Sequence, residues 1–344
     1  MDSPLASRLI GKQLGNWKVT EKRMKDASDN SGFFSTCYTV EGSDGGKAFL
    51  KAYNYQYAFQ ARTGSADVLR FMTENYTYER DLLKFCNEMG MKRVVTAVDS
   101  GEYYEENETL SVPYLIFEIA HGSLKTIDYL EHPDLEWKLK AFHGALVGLS
   151  QLHSKKVVHQ DIKPSNILVF GEDYSKISDL GSATQKDKCS NWDKPHHVGD
   201  MRYAPIELLY SYCSMDWNAR KYGADLYMMG GILAFMLSGV NILAAILSKL
   251  PISLRPDKYT GSWQDIVPVL IDANYQALAD LKQDIPPEIA DEMMDVLNEL
   301  LNPIPEDRGN HPQVRERVGQ YSLIRYIAKI DRMSKTAMWV RKKC

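Results

Sequence analysis

The sequence predicts an α+β protein of bilobal architecture: a small antiparallel-sheet lobe with one key helix, then a larger, mainly helical lobe. Two changes of texture point there. Over the first third of the chain, strand-forming residues come in short alternating runs, Trp17 to Thr20, Ser35 to Val40, Ala48 to Ala52, Arg93 to Val98 and Pro113 to Ile119, the pattern of half-buried strands. After His121-Gly122 the apolar residues recur at helical spacing instead. A chain of 344 residues holds one large two-lobed domain or two modest ones.

Each element follows from local chemistry. Ser43-Asp44-Gly45-Gly46 supplies a turn between the second and third strands. One helical pattern interrupts the strands from Asp67 to Met89, with Leu82, Leu83 and Phe85 late in it. In the second part, Leu139, Phe142, Leu146, Leu149 and Leu152 mark a helix from Leu135 to His153. Further helices are expected from Ala224 onward, around Trp263 to Leu281, and from Pro287 to Leu301. Leu226 to Ser248 carries no charge and is long enough to cross a bilayer. Gly230, Gly231, Ser238, Gly239 and Asn241 interrupt it and Asp225 heads it, so a helix buried in the larger lobe is the preferred reading.

Composition excludes some partners. The chain is 44% hydrophobic and 25% charged, with a formal net charge of -4, which gives no reason to expect nucleic acid or a membrane as partner. Cys37, Cys86, Cys189, Cys213 and Cys344 form no C-x-x-C pair and no metal-ligand spacing. They read as reduced thiols of a cytoplasmic protein. Met1 to Leu14 lacks the apolar core of a secretory signal. No oligomeric state is legible.

The sharpest signal is His159-Gln160-Asp161-Ile162-Lys163-Pro164-Ser165-Asn166-Ile167-Leu168. It resembles the catalytic loop H-R-D-x-K-x-x-N of eukaryotic-like (Hanks-type) serine/threonine protein kinases. The resemblance implies that Asp161 accepts or orients the proton of an incoming hydroxyl, that Lys163 neutralises charge on the transferring phosphate, and that Asn166 turns back to a metal ion. Asp179-Leu180-Gly181, thirteen residues after Asn166, resembles D-F-G, and Asp179 would hold the Mg²⁺ that bridges the ATP phosphates.

Upstream, Ala48-Phe49-Leu50-Lys51 stands where the family has V-A-I-K, so Lys51 would take the α- and β-phosphates. Glu79 is chosen as its helix-borne partner, with Glu74 as the rival. The glycine-rich loop aligns with Asn30-Ser31-Gly32-Phe33-Phe34-Ser35 and keeps one glycine. Asn30 tolerates a positive φ better than most residues, and Gly32 lets backbone N–H groups approach phosphate. Cys37 is added to the nucleotide contacts. Phe117 falls at the gatekeeper position, and the backbone of Glu118 to Ala120 would read adenine. Phe49 replaces a small residue above the base and would crowd it.

Gly199-Asp200-Met201-Arg202-Tyr203-Ala204-Pro205-Ile206-Glu207 resembles G-T-x-x-Y-x-A-P-E. The likeness pairs Glu207 with Arg308, and has Asp225 hold the catalytic-loop backbone from the head of a central helix. His159 and Leu180 are expected to pack rather than react. Gln160 stands where the family's arginine clamps a phosphate, so activity without phosphorylation of Ser182, Thr184 or Ser190 is expected.

These likenesses divide the chain into a flank over 1–16, a kinase domain over 17–313 (small lobe 17–118, large lobe 121–313) and a basic, helical extension over 314–344. The function implied is transfer of the γ-phosphoryl of Mg-ATP to an unidentified protein substrate. Two alternatives stay open: a pseudokinase that binds without catalysing, and a small-molecule phosphotransferase of the same fold.

Overall fold

The alternating runs of the first third become one antiparallel sheet. The computed structural model describes residues 3–23, 35–60, 64–131, 134–171, 174–188 and 190–343, and the chain divides into two compact units, Met1–Ala120 and His121–Cys344. Among the described residues of the first unit, the strands are β1 (Gln13–Leu14), β2 (Trp17–Lys22), β3 (Ser35–Gly42), β4 (Lys47–Tyr53), β5 (Ala97–Tyr103) and β6 (Val112–Glu118). Their order is β1-β2-β3-β4-β6-β5. Helix α1 (Tyr57–Gln60) leads into α2 (Ser65–Glu88).

Strand alternation sorts side chains between the two faces of β4. Ala48, Leu50 and Ala52 point into a buried cluster with Tyr38, Val40, Val112 and Ile116. Phe49 and Lys51 fall on the other face. The residues before Trp17, expected as a flank, close the clustered face. Leu5, Ala6, Leu9 and Leu14 are buried in it, the Tyr38 hydroxyl donates to Ala6 O at 2.8 Å, and β1 extends the sheet. The strand expected over Arg93–Val98 begins only at Ala97. Gly90 leaves α2 with a φ of 65°, and Val94 N donates to Met91 O across a turn, so Val94 and Val95 are buried ahead of the strand, Val94 in an isolated bridge.

The second unit is mostly helical. Short β7 (Gly122–Ser123) precedes α3 (Leu124–Glu131) and α4 (Leu135–Ser154). Asp134 starts α4 as an N-cap, accepting from Trp137 N at 2.8 Å. Next come β8 (Val157–Val158), β9 (Ile167–Phe170), β10 (Tyr174–Ile177) and β11 (Thr184–Gln185). β9 pairs with β7 and β10, and β11 with β8. The helices that follow are α5 (Ile206–Leu209), α6 (Trp217–Ser238), α7 (Ile242–Ser248), α8 (Trp263–Lys282), α9 (Pro287–Leu300), α10 (Pro312–Val318) and α11 (Ile324–Lys343).

Helix α6 starts at Trp217, ahead of the expected Ala224, and its second half takes in the first part of the uncharged stretch, buried over most of its length. Asp216 caps its start, and Gly239, with a φ of 73°, ends it. Among the described residues no single helix is long and apolar enough to cross a membrane; α6 and α7 together reach the length but meet at an 85° bend. The basic extension forms α11, which packs on α4 and α9 through buried Tyr326, Ile330 and Met333. Its cations face acids of α9, with Arg325 on Glu299, Lys329 on Asp295 and Arg332 on Glu292.

Candidate active site

In the first unit, Lys51 projects from β4 toward α2, where the Glu79 carboxylate accepts from Nζ at 2.9 and 3.1 Å. Glu79 is buried and also accepts from the Tyr53 hydroxyl at 2.6 Å. The rival, Glu74, lies on the exposed face of α2. On α2 the buried positions are Met72, Tyr76, Glu79, Leu83 and Cys86, with Leu82 beside them. Glu79 is thus the acid within the apolar stripe.

Cys37 sits opposite Lys51 in the β3–β4 register, and Phe49 sits opposite Phe117 in the β4–β6 register. The two phenylalanine rings lie 6.3 Å apart, tilted by 51°. The Glu118 carboxylate accepts from Thr96 N at 2.6 Å, which holds the chain just before Ala120. Asn30 and Gly32 lie outside the described residues.

The second unit gathers Asp161, Lys163, Asn166 and Asp179. Pairing of Ile167 with Ile177 folds the thirteen-residue gap into a hairpin. Ser178 N then donates to Asn166 O at 2.8 Å, which brings Asp179 beside Asn166. Asp179 takes a left-handed conformation, φ 61°, a sparsely populated region for a residue with a Cβ. His159 is fully buried. Its Nδ1 accepts from Asp161 N at 3.2 Å, so the proton sits on Nε2, which donates to Ser178 O at 2.9 Å. The histidine thereby orients the loop. Leu180 is fully buried as well.

Asp225, at the centre of α6, accepts from His159 N at 2.8 Å and Gln160 N at 2.9 Å, and pairs with His153 at 2.8 Å. Asn166 Nδ2 donates to Asp161 O at 2.8 Å and to Asp161 Oδ2 at 3.0 Å. Lys163 Nζ lies 3.1 Å from Asp161 Oδ2 and 3.9 Å from Asp200. Asp161 Oδ1 is buried and has no hydrogen-bond partner among the described residues.

Burial pushes the Asp161 carboxyl up to about 6; Lys163 pulls it down and Asp179 pushes it up further. Burial opposes the Lys163 ammonium, but the carboxylates of Asp161, Asp179 and Asp200 outweigh it and raise its pKa. For Asp200, burial is outweighed by hydrogen bonds and charge from Arg202, aided by Lys163, and its pKa falls. Arg202 grips Asp200 through Nε at 2.9 Å and Nη2 at 2.6 Å.

The donor chemistry fits a magnesium ion. Asp179 offers a carboxylate, and Asn166, with its nitrogen committed to Asp161, presents its amide oxygen elsewhere. Both are hard oxygen ligands. Among the described residues no group of three or more His, Cys, Asp or Glu is placed to hold a metal. Mg²⁺ needs none when phosphates and waters complete its shell.

Glu207 and Arg308 form a bidentate pair at 2.9 and 2.8 Å, both buried, with Arg308 also donating to Gly223 O at 3.0 Å. Sequence reasoning missed two residues near the loop. One is Arg202, whose partner Asp200 is two residues away. The other is Lys221, buried in α6 with its Nζ hydrogen-bonded to Gln160 Oε1. No local signal marked it, because the helix was expected only from Ala224 and α6 begins at Trp217.

Comparison with known proteins agrees with this geometry. The family described as "Protein kinase domain" matches residues 32–318. A serine/threonine-protein kinase of Scheffersomyces stipitis is 30% identical over 198 residues, covering 55% of this chain and 43% of that protein. A probable cyclin-dependent serine/threonine-protein kinase of Dictyostelium discoideum is 36% identical over 33% of this chain and 7% of its own length. A receptor-like cytosolic serine/threonine-protein kinase of Arabidopsis thaliana is 28% identical over 57% of this chain and 40% of its own. The chain spans less than half the length of each of these relatives.

Proposed function

The chain belongs to the protein kinase domain family, and from that premise we propose that it transfers the γ-phosphoryl of Mg-ATP to a serine or threonine hydroxyl of a protein. The observation that carries this is the Asp161 carboxylate, which has one oxygen held by Asn166 and Lys163 and the other buried without a partner among the described residues. A hydroxyl donating to that oxygen would satisfy a buried acceptor and be aimed for attack. Lys163, kept charged by three carboxylates, would meet charge on the transferring group. Asn166 and Asp179 would hold Mg²⁺, which supplies charge neutralisation between phosphates when bound.

Lys51 would take the nucleotide's phosphates, braced by Glu79. Asn30, Gly32 and Cys37 would line the same nucleotide, and the backbone of Glu118 and Ala120 would meet its base. Lysine two residues after the aspartate favours serine and threonine over tyrosine as acceptor. Cytoplasmic placement belongs to the same reading, supported by the absence of any disulfide among the described residues.

A binding scaffold with little catalysis is the second reading, favoured by the Phe49–Phe117 ring pair on the Lys51 face of the sheet. One assay decides: purified protein with Mg²⁺, γ-labelled ATP and a generic protein substrate, wild type beside Asp161→Ala. Label on serine or threonine with wild type, reduced by about 10²-fold or more in the variant, is expected. Equal label with both, or none with wild type, would sink the kinase reading.

A further inference from the structure

Two side chains in the second unit hold far more of the chain than their own neighbours. Gln160 sits at a φ of 64°, and its Nε2 donates to Ser182 O and Thr184 Oγ1, both at 2.8 Å. Its carbonyl accepts from Gly199 N at 2.9 Å. Its Oε1 accepts from Lys221 Nζ. The Lys221 ammonium donates onward to Lys194 O at 3.0 Å and Trp192 O at 3.4 Å, and lies 3.6 Å from Asp193 Oδ1. The beginning, middle and end of the segment from Ser182 to Gly199 are therefore tied to the pair Gln160–Lys221.

Helix α6 supplies the anchor. Lys221 and Asp225 are four residues apart and share one face, so one residue grips the side chain of Gln160 and the other its backbone. Lys221 is only 1% exposed, and burial, before any other influence, pulls its pKa below the ordinary lysine value. A buried ammonium is a poor device for stability, since an apolar residue of similar size does as well or better. What it offers is three directed donors, and here they meet acceptors on two stretches of chain. The far end of the tethered segment abuts the reacting groups. A Cβ on Gly199 would fall 2.3 Å from Asp161 Cγ, and the next residue, Asp200, reaches Lys163. The Thr184 hydroxyl is fully buried on Gln160.

We infer that Lys221 is a positioning residue: acting through Gln160, it pins the segment 182–199 against the catalytic loop and so fixes Asp161 and Lys163. The pin rests on the kinase reading for its effect on rate, but not for its existence.

The test compares wild type, Lys221→Met and the double variant Gln160→Met/Lys221→Met. The double variant removes both members of the pair, so that neither Gln160 nor Lys221 is left buried without the other, and kcat is expressed per folded molecule. Two readouts are taken: kcat and the KM for ATP with a generic protein substrate, and the rate of chymotryptic cleavage after Trp192. That ring is half-buried and stacked on His197 at 4.6 Å. Misplacing reacting groups by about 1 Å costs on the order of 10²-fold. Both variants should therefore lose about 10²-fold in kcat, keep the KM for ATP within about twofold, and be cut faster after Trp192. A merely structural lysine would leave kcat per folded molecule unchanged, and that result overturns the pin. Equal cleavage of wild type and the folded variants overturns it too. Absence of transfer by wild type overturns the kinase reading alone, because faster cleavage of the variants still supports the pin.

Discussion

Asp161→Asn should make the protein more stable near neutral pH while removing its activity. The Asp161 carboxyl is 7% exposed, and burial lifts it from 3.8 to about 6. A displacement of about 2 units at 1.36 kcal/mol each is about 3 kcal/mol. The sign follows from linkage. An acid whose folded pKa is raised binds its proton more tightly in the native state, so between 3.8 and about 6 the native state holds more protons than the unfolded chain. Stability then falls as pH rises through that window. Asparagine, being neutral at every pH, lacks this penalty. The stability difference, variant minus wild type, should grow with pH and level off above about 7. Of the ~3 kcal/mol, about 2 kcal/mol develops between pH 4.5 and 7.5. Urea unfolding of both proteins at those two pH values measures it. A difference that stays flat, or shrinks as pH rises, would refute the reasoning, because it would mean that Lys163 and Asn166 compensate the buried charge.

Two further perturbations test the frame around that carboxylate. Gly199→Ala places a Cβ where Asp161 Cγ stands, at 2.3 Å, and should lower kcat by about 10²-fold; a variant with wild-type kcat would mean that the segment yields freely. Glu207→Gln leaves the fully buried Arg308 guanidinium without its counter-charge and should cost about 3–5 kcal/mol in denaturant unfolding, against a loss under about 1 kcal/mol if the backbone carbonyls around Arg308 suffice.

The part of the site that was legible is the part whose chemistry is compressed along the chain. Asp161, Lys163 and Asn166 lie within six residues, and one hairpin brings Asp179 to them. The Lys51–Glu79 pair was harder, since residues 28 apart must meet. The periodicity of α2 nevertheless marks Glu79, seven residues after Met72 and four before Leu83, as the acid on the buried stripe. What stayed illegible has no local signature. Leu5, Leu9 and Leu14 follow neither a helical nor a strand period, so their place under the sheet depends on Tyr38 and Gln56, far along the chain. Lys221 looks like any lysine near a helix start, and only the fold shows that the side-chain oxygen of a glutamine 61 residues earlier accepts its hydrogen bond. The strand at Ala97 started late because Gly90 turns the chain first, which alternation alone does not encode.

The departures at Asp200 and Arg202 form a compensated set. An acid at position 200 adds a carboxylate to a neighbourhood that already holds Asp161 and Asp179, and Lys163 alone would be left to balance all three. Arg202 cancels the added charge by a two-pronged contact at 2.9 and 2.6 Å, geometry in which the guanidinium fork fixes the orientation of its partner. With Asp200 fixed this way, its second oxygen also lies 3.9 Å from Lys163, near enough to favour the ammonium form but too far for a hydrogen bond that would compete with Asp161. Lys163 therefore keeps its direct contact with the Asp161 carboxylate at 3.1 Å. The aspartate thus supports Lys163 by charge rather than by a direct bond, and it depends on Arg202 to do so.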